Sequence, residues 1–230
     1  MSISVIYEDN HLLVLDKPAG LLAQGDHSGA ETVVDVAAAY LKQKYSKPGN
    51  VYVGLVHRLD RNVSGVMVIA RTSKAAARLS EQFRTKAVAK IYHAVVVGTP
   101  VKPEMEIVSW LSSSGDHQGI TRAEATVFSG AKESRLRYTV TNSGNGFSQL
   151  QVEPSTGRRH QIRAQLALVG HPLLGDVKYG SDWRLPGRRL ALHAQSLELK
   201  HPIGGRTLVF KAPVPSDWPW PNPVQKARRK

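Results

Sequence analysis

Short apolar runs bounded by turn residues dominate the first hundred positions of the chain. Five of them have the composition and spacing of β-strands: SVIYE (4–8), HLLVLDK (11–17), VYVGLV (51–56), VMVIA (66–70) and KIYHAVVVG (90–98). Asp9-Asn10 separates the first two runs with residues typical of turns, and the segment KPAG (17–20) ends the second. A strongly polar segment, residues 57–65, lies between the third and fourth runs.

Helical spacing of apolar residues predicts three α-helices. The first begins at Thr32 and is broken by SKPGN (46–50), and the second has Thr72 or Ser73 as its N-cap. The third follows a turn in STGRRHQIRAQLALVG and is closed by Gly170.

The second half of the chain has weaker strand signals. The runs EATVF, RLRYTV, FSQLQVEP, RLALHAQSLEL and RTLVFKAP predict further strands. Strands and helices do not alternate strictly, which favours an α+β fold with a mixed, mainly antiparallel sheet and flanking helices and loops. With no convincing linker, residues 1–230 are expected to form a single domain, with a disordered tail from about residue 221.

Composition narrows the class of protein. The 230 residues include 31 Lys and Arg against 18 Asp and Glu, a formal net charge of +13. An excess of this size predicts a polyanionic partner, for which nucleic acid is the leading candidate and a solvated basic surface the alternative. Cysteine is absent and no apolar run approaches a membrane span, so we expect a cytoplasmic protein that does not enter a membrane.

Common cofactor and metal motifs are missing from the sequence. It contains no phosphate-binding GxxxxGK or GxGxxG segment, no GxSxG and no HExxH. The sequence therefore predicts chemistry without a cofactor and without a metal.

The polar segment HRLDRNVSG (57–65) holds the first candidate for chemistry. Asp60 follows an apolar run and is flanked by Arg58 and Arg61, which favour its ionised form. Such a carboxylate could act as a nucleophile or base. Alternatively, it could belong to a tight surface turn, with its side chain hydrogen-bonded to its own backbone.

The second cluster is STGRRHQIR (155–163). Arg159 and Arg163 are four residues apart, which would place them on one helical face. That face could bind phosphate, pair with a buried carboxylate through two guanidinium hydrogen bonds, or remain solvated. Tyr92, in the middle of a predicted strand, is suited either to the core or to stacking on an unstacked base.

Six segments together carry a family resemblance, and they occur in this order: KPAG (17–20), HRLDRNVSG (57–65), KIYHAVVVG (90–98), STGRRHQIR (155–163), GHPLLGDVKYG (170–180) and LALHAQSLEL (190–199). The chain resembles the RluA family of RNA pseudouridine synthases over about residues 5–213. The resemblance implies the pseudouridine synthase fold and an isomerase that converts uridine to pseudouridine in RNA, without a cofactor.

The resemblance also assigns roles to individual residues. It implies that Asp60 is the catalytic nucleophile, that Tyr92 contacts the target base and that Arg163 pairs with the nucleophile. Whether the carboxylate attacks the sugar or starts an elimination at it stays open.

Further residues are expected to contact the substrate. Ile162 would line the uracil pocket, and Arg58 would contact RNA or the displaced base. Arg61, Arg159 and His160 are also predicted RNA contacts.

Two departures from the family pattern are visible, and both lie near these segments. Val63 stands where the family often has threonine, and the loop after KPAG lacks the usual His-Pro. The first change keeps a β-branched side chain, whereas the second concerns expected loop contacts to RNA.

The expected partner is structured RNA, either rRNA or tRNA, and the expected state is a monomer. Because the family segments start within the first residues, we expect no S4-like RNA-binding domain before them. The alternative from a different functional class is a non-catalytic RNA-binding protein that retains the synthase fold.

Overall fold

The structure, a computed structural model, describes residues 3–26, 29–46, 48–112, 116 and 119–220. Its strands are β1 (Ser4–Glu8), β2 (Leu12–Lys17), β3 (Gly54–Leu55), β4 (Ser64–Ala70), β5 (Ala89–Val97), β6 (Glu104–Ser112), β7 (Ala123–Glu124), β8 (Ala131–Gly144), β9 (Phe147–Pro154), β10 (Leu192–Lys200) and β11 (Thr207–Lys211). Its α-helices are α1 (Val33–Lys44), α2 (Ser73–Arg84) and α3 (Gln161–Leu168). The predicted disordered tail lies outside the described residues.

The chain divides into two compact units. The first comprises Met1–Ala89 and Ala194–Val214, and the second comprises Lys90–His193 and Pro215–Lys230. Neighbouring strands within each unit pair mainly in the antiparallel sense, as in β1–β2, β2–β4, β5–β9, β8–β9 and β6–β8. The predicted α+β class is confirmed, whereas the single domain stays a prediction.

The sheet of the first unit is covered on both faces. One face packs on α1, and its sheet residues are Leu13, Leu15, Met67 and Ile69. The opposite face packs on α2, and its sheet residues are Leu12, Val14, Val66 and Val68. Because both sides of β2 and β4 are buried, their sequences are continuous apolar runs rather than alternating ones.

The first two helices begin at the residues that the sequence indicated. Thr32 caps α1 in a reciprocal capping box, in which its hydroxyl accepts from the Asp35 amide (3.2 Å) and the Asp35 carboxylate accepts from the Thr32 amide (3.0 Å). Thr72 caps α2 by accepting from the Ala75 amide (3.2 Å).

The predicted strand VYVGLV was mostly wrong, because only Gly54–Leu55 enters the sheet. These two residues pair with the end of β4, opposite Ala70 and Ile69. Further along β4, the backbone of Ala194 on β10 lies so close to Gly65 that a Cβ on that glycine would clash with it. Because β4 pairs with β10 along the rest of this edge, β3 can pair only with the last residues of β4.

The sheet of the second unit has the order β5-β9-β8-β6-β7. The run RLRYTV forms part of β8, which is longer than predicted and pairs with β6 on one side and β9 on the other. Of the run EATVF only its first residue belongs to a strand, since β7 pairs through Ala123 and Glu124 alone. Among the described residues, none of the helices is long and apolar enough to cross a membrane.

A carboxylate network ties β1 to α1 in the first unit. The side chain of Glu8 accepts hydrogen bonds from Lys44 (2.7 Å), Arg71 (2.9 Å), Tyr40 (2.8 Å) and Tyr45 (2.6 Å). Burial alone would raise the pKa of Glu8, but these four donors lower it to about 2. The ionised side chain therefore stabilises the folded state.

The network predicts a pH-dependent loss of stability in Glu8→Gln. The folded-state pKa of Glu8 lies below its ordinary value of 4.5, so its contribution is present above pH 4.5 and disappears as pH falls towards 2. We expect Glu8→Gln to lower the free energy of unfolding by about 2 kcal/mol at pH 7. Denaturant unfolding at pH 7 and pH 3 measures this difference, which should shrink at the lower pH.

The matched control is Glu81→Gln, which removes a carboxylate from the exposed pair with Arg84 on α2. An exposed pair contributes little to stability, so this variant should unfold like the wild type. Equal losses in the two variants, or a Glu8→Gln loss that is the same at both pH values, would contradict the assignment.

Candidate active site

Asp60 lies in a tight turn between β3 and β4. The Val63 amide donates to the Asp60 carbonyl (3.1 Å), which closes a four-residue turn. Leu59 and Val63 are buried, Asp60 is half-buried, and Arg58 and Arg61 are exposed. Two apolar anchors therefore hold the turn while its polar side chains remain accessible.

The KPAG loop (17–20) docks on this turn. The Gly20 amide donates to the Arg61 carbonyl (2.7 Å), and Nε of Arg61 donates back to the Gly20 carbonyl (3.0 Å). The register of β2 against β4 also places Lys17 opposite Gly65, at the start of the strand that follows the turn. The position of Asp60 is thus fixed by two segments that are about forty residues apart in sequence.

Lys17 is fully buried beneath the same loop. Its ammonium donates to the carbonyls of Pro18 (2.9 Å), Leu21 (2.9 Å) and Arg61 (3.2 Å). Burial lowers the pKa of Lys17 to about 7, and the negative charge of Asp60 opposes that shift. Three carbonyl acceptors match the three protons of the charged amine, so Lys17 supplies a buried cation near Asp60 within the first unit.

Tyr92 lies on β5 in the second unit, opposite Val152 of β9. Its side chain is half-buried and shares a face of the strand with Lys90, two residues earlier. The Lys90 ammonium donates to the Thr156 carbonyl (3.1 Å), and burial lowers its pKa to about 8. This face of β5 is therefore next to the TGRRH loop (156–160).

The TGRRH loop is held by buried amide and hydroxyl groups. The side-chain oxygen of Gln161 accepts from the Thr156 hydroxyl (2.7 Å) and from the Arg158 amide (3.0 Å). The Gln161 amide group donates to the Arg135 carbonyl on β8 (2.9 Å), and the Arg135 amide donates to the Thr156 hydroxyl (3.1 Å). These contacts fix where α3 begins.

His160 precedes α3 in a left-handed conformation, with φ 51°. The prediction that Arg159 and Arg163 share a helical face was therefore wrong, because the helix starts only at Gln161. Arg159 lies beside Lys178 near Gly119, whereas Arg163 is buried within the helix. Nδ1 of His160 is 2.8 Å from the hydroxyl of Tyr179, so this half-buried ring is held inside the unit.

Arg163 makes two hydrogen bonds to one buried carboxylate. Its Nε donates to Oδ2 of Asp176 (2.7 Å) and its Nη2 donates to Oδ1 (2.9 Å). The ring of Tyr179 lies 4.8 Å from the guanidinium carbon, and burial raises the pKa of this tyrosine. Ile162, the neighbour of Arg163 on α3, is also buried.

Comparison with known proteins assigns the chain to a family. The family model described as RNA pseudouridylate synthase matches residues 11–168, more than half of the chain. This chain belongs to the RluA family of RNA pseudouridine synthases.

Three bacterial relatives show how far the similarity of this RNA pseudouridine synthase extends. The ribosomal large subunit pseudouridine synthase D of Pseudomonas aeruginosa is 32% identical over 96% of this chain and 71% of its own length. The protein of that name from Xanthomonas campestris is 35% identical, over 94% of this chain and 67% of its own. An uncharacterized RNA pseudouridine synthase of Bacillus subtilis is 33% identical, over 94% and 70%.

A solved structure has the same fold. Human RNA pseudouridylate synthase domain containing 4 superposes with a TM-score of 0.76 at 25% identity, covering 93% of this chain and 89% of that one. The predicted pseudouridine synthase fold is confirmed.

The predicted site residues of the synthase are divided between its two units. Asp60, Arg58 and Arg61 belong to the first unit. The second contains the other five: Tyr92, Arg159, His160, Ile162 and Arg163. The catalytic roles of these residues, including the pairing of Arg163 with Asp60, stay predictions.

Two residues of the site were missed by the sequence analysis. Lys17 and Asp176 both occur in segments that carried the family resemblance, yet neither was given a role. A lysine that ends a continuous apolar run was the available signal for Lys17. No local pattern marked Asp176, because its partner Arg163 lies on a separate element.

At Gly65, in the strand that follows the Asp60 turn, the backbone leaves no room for a side chain. Its φ is +119°, and a Cβ there would lie 2.2 Å from the Ala194 carbonyl oxygen. Gly65→Ala should therefore lower the free energy of unfolding by on the order of 3 kcal/mol, through backbone strain and overlap combined.

Denaturant unfolding tests this against Gly204→Ala. Gly204 has a similar backbone, with φ +85°, but nothing lies within 4 Å of its added Cβ. That control carries only the backbone strain, about 1 kcal/mol. If the two variants were equally stable, the close approach of β10 would not be the reason for glycine at position 65.

Proposed function

We propose that this synthase converts uridine to pseudouridine in the RNA of the large ribosomal subunit, with Asp60 as the nucleophile. The observation that carries the proposal is the Asp60 turn, in which an accessible carboxylate is anchored by Leu59, Val63 and the KPAG loop. A binding function alone would not need a carboxylate held in this way. The names of the relatives from Pseudomonas and Xanthomonas support the choice of RNA.

The proposed reaction is an isomerisation, so it needs no other reactant. The glycosidic bond between N1 of uracil and C1′ of the sugar breaks, the base rotates, and a bond forms between C5 and C1′. The proton on C5 is then lost, and N1 ends protonated, so atoms and electrons balance. Asp60 would begin the process either by attacking the sugar or by starting an elimination at it, and both routes use an ionised carboxylate.

The target base must leave its stack before the carboxylate can reach the sugar. In this proposal Tyr92 and Ile162 form the flat, apolar surfaces that receive the extruded uracil. The half-buried ring of Tyr92 and the buried side chain of Ile162 are suited to that role. Stacking on an aromatic ring would compensate part of the cost of unstacking.

In this proposal two cations act on Asp60. Lys17 is the one in the same unit, and its charge interacts with that of Asp60. Arg163 is the other in this proposal, pairing with Asp60 as in the family. Removing one partner of a buried ion pair costs on the order of 3–5 kcal/mol, so the loss of Arg163 would matter for turnover.

The RNA backbone would be bound by exposed and half-buried basic residues. Arg58 and Arg61 flank the nucleophile, and Arg159 and His160 precede α3. Arg61 retains exposed surface although its Nε bonds to Gly20, so its remaining donors can reach phosphate. The net charge of +13 would add long-range attraction that weakens with salt.

The role of Asp60 is tested by Asp60→Ala and Asp60→Asn. Both variants should bind RNA within about threefold of the wild-type Kd and lose at least about 10⁴-fold in turnover. Asp60→Asn preserves the size of the side chain, so its loss would isolate the charge from the packing of the turn. Pseudouridine formation at the wild-type rate in either variant would reject Asp60 as nucleophile.

The RNA substrate is tested by mapping pseudouridines in total cellular RNA with and without the gene. We expect one or more uridines of large-subunit ribosomal RNA to lose the modification. Restoring the gene should restore it, whereas restoring the Asp60→Ala version should not. A change confined to tRNA would overturn the ribosomal substrate, and no change in any RNA would favour a non-catalytic RNA-binding protein.

A further inference from the structure

The ion pair between Arg163 and Asp176 is buried on both sides. Only 8% of Arg163 and 1% of Asp176 are exposed. The carboxylate takes the edge of the guanidinium formed by Nε and Nη2, in a two-bond contact. A pair of this geometry fixes both the position and the plane of the guanidinium, because two parallel hydrogen bonds allow little rotation.

This contact limits how Arg163 can act on anything else. A guanidinium has five N–H donors, and Asp176 uses the two that point along one edge. The ring of Tyr179 covers the flat surface of the group, 4.8 Å from its central carbon. The other three donors are the two N–H groups of Nη1 and the second N–H group of Nη2, so Arg163 can meet a second carboxylate only at the opposite end of the guanidinium, formed by Nη1 and Nη2.

Asp176 is itself rigidly placed. Its carbonyl accepts from the amides of Tyr179 (3.0 Å) and Ser181 (3.1 Å), and its own amide donates to Leu173 (3.0 Å). The preceding Gly175 has φ +90°, and a Cβ there would lie 2.5 Å from the Arg189 carbonyl oxygen. Backbone contacts on both sides therefore fix the carboxylate before it meets Arg163.

The segment that carries Asp176 is also joined to the end of α3. The amide of Gly170 donates to the carbonyl of Ala167 (3.0 Å), and that of His171 donates to Leu166 (2.9 Å). These two bonds close the helix in a Schellman motif, with Gly170 in the left-handed conformation. The arginine and its carboxylate thus belong to one continuous, hydrogen-bonded structure.

We propose that Asp176 is a positioning residue for the reaction, which holds Arg163 so that the Nη1–Nη2 end of its guanidinium is directed at the proposed nucleophile. The inference rests on the proposed function, since it needs Arg163 to act on Asp60. In this proposal Asp176 acts through its contact with Arg163.

The first test is Asp176→Asn in the full-length protein. Removing the charge releases one edge of the guanidinium, so kcat should fall by about 100-fold while KM for RNA changes less than threefold. The acid limb of the kcat–pH profile should move to higher pH, because a carboxylate is protonated more easily when its cation retreats. The control is Asp217→Asn, which breaks a more exposed Arg–Asp pair with Arg189 and should leave kcat and the pH profile unchanged.

A merely structural role for Asp176 would give a different result. The loss of activity would then follow the loss of folded protein, and the pH profile of the folded fraction would not move. Wild-type kcat in folded Asp176→Asn, or a loss without a shift of the acid limb, would overturn the proposal.

The second test is a double-mutant cycle with Arg163→Lys. If Asp176 acts through Arg163, the double variant should be no slower than Arg163→Lys alone, whereas independent roles would multiply the two losses.

If Asp176→Asn does not fold, Asp176→Glu keeps the charge and moves the carboxylate by one methylene. That variant should fold and lose at least about tenfold in kcat, and full activity in it would overturn the positioning role.

The outcome is separable from that of the proposed function. If the Asp60→Ala protein were active, Asp60 would not be the nucleophile, and Arg163 would have no proposed target. An inactive Asp60→Ala protein combined with multiplicative losses in the cycle would leave the proposed function intact and reject the role of Asp176.

Discussion

Burial of β2 and β4 on both faces is the constraint on which the Asp60 turn depends. Neither strand has a solvent-facing side, so polar groups are confined to their ends. Lys17 is the last residue of β2, and the Asp60 turn leads into the first residues of β4. The register of the two strands places these two ends side by side. The rigid apolar layer thus fixes a carboxylate and a cation that could not be held in place by the turn alone.

In the second unit, buried polar side chains fix the position of α3. Gln161 and Gln165 lie one helical turn apart on α3, and their amides donate to backbone carbonyls of β6 and β8. These contacts orient the helix that carries Ile162 and Arg163. Helix α3 is therefore located by specific hydrogen bonds as well as by apolar packing.

Among the described residues, the buried side chains of Lys17 and Arg163 both have partners within their own units. Lys17 donates to three backbone carbonyls, and Arg163 is neutralised by Asp176. A buried ion pair contributes little net stability compared with apolar packing, because desolvation offsets most of the attraction. What such a pair does provide is a defined orientation of the guanidinium.

The sequence by itself determined the features that depend on neighbours a few residues apart. It located β2, β4 and β5 by their apolar runs, the starts of α1 and α2 near Thr32 and Thr72, and the end of α3 by Gly170. The family segments also indicated the fold and the class of reaction. Only the tertiary structure decided the length of β3, the separation of Arg159 from Arg163, and the partners of Lys17 and Arg163. Those outcomes depend on which distant strand occupies an edge and which distant carbonyl or carboxylate fills a buried site, and local periodicity carries no information about either.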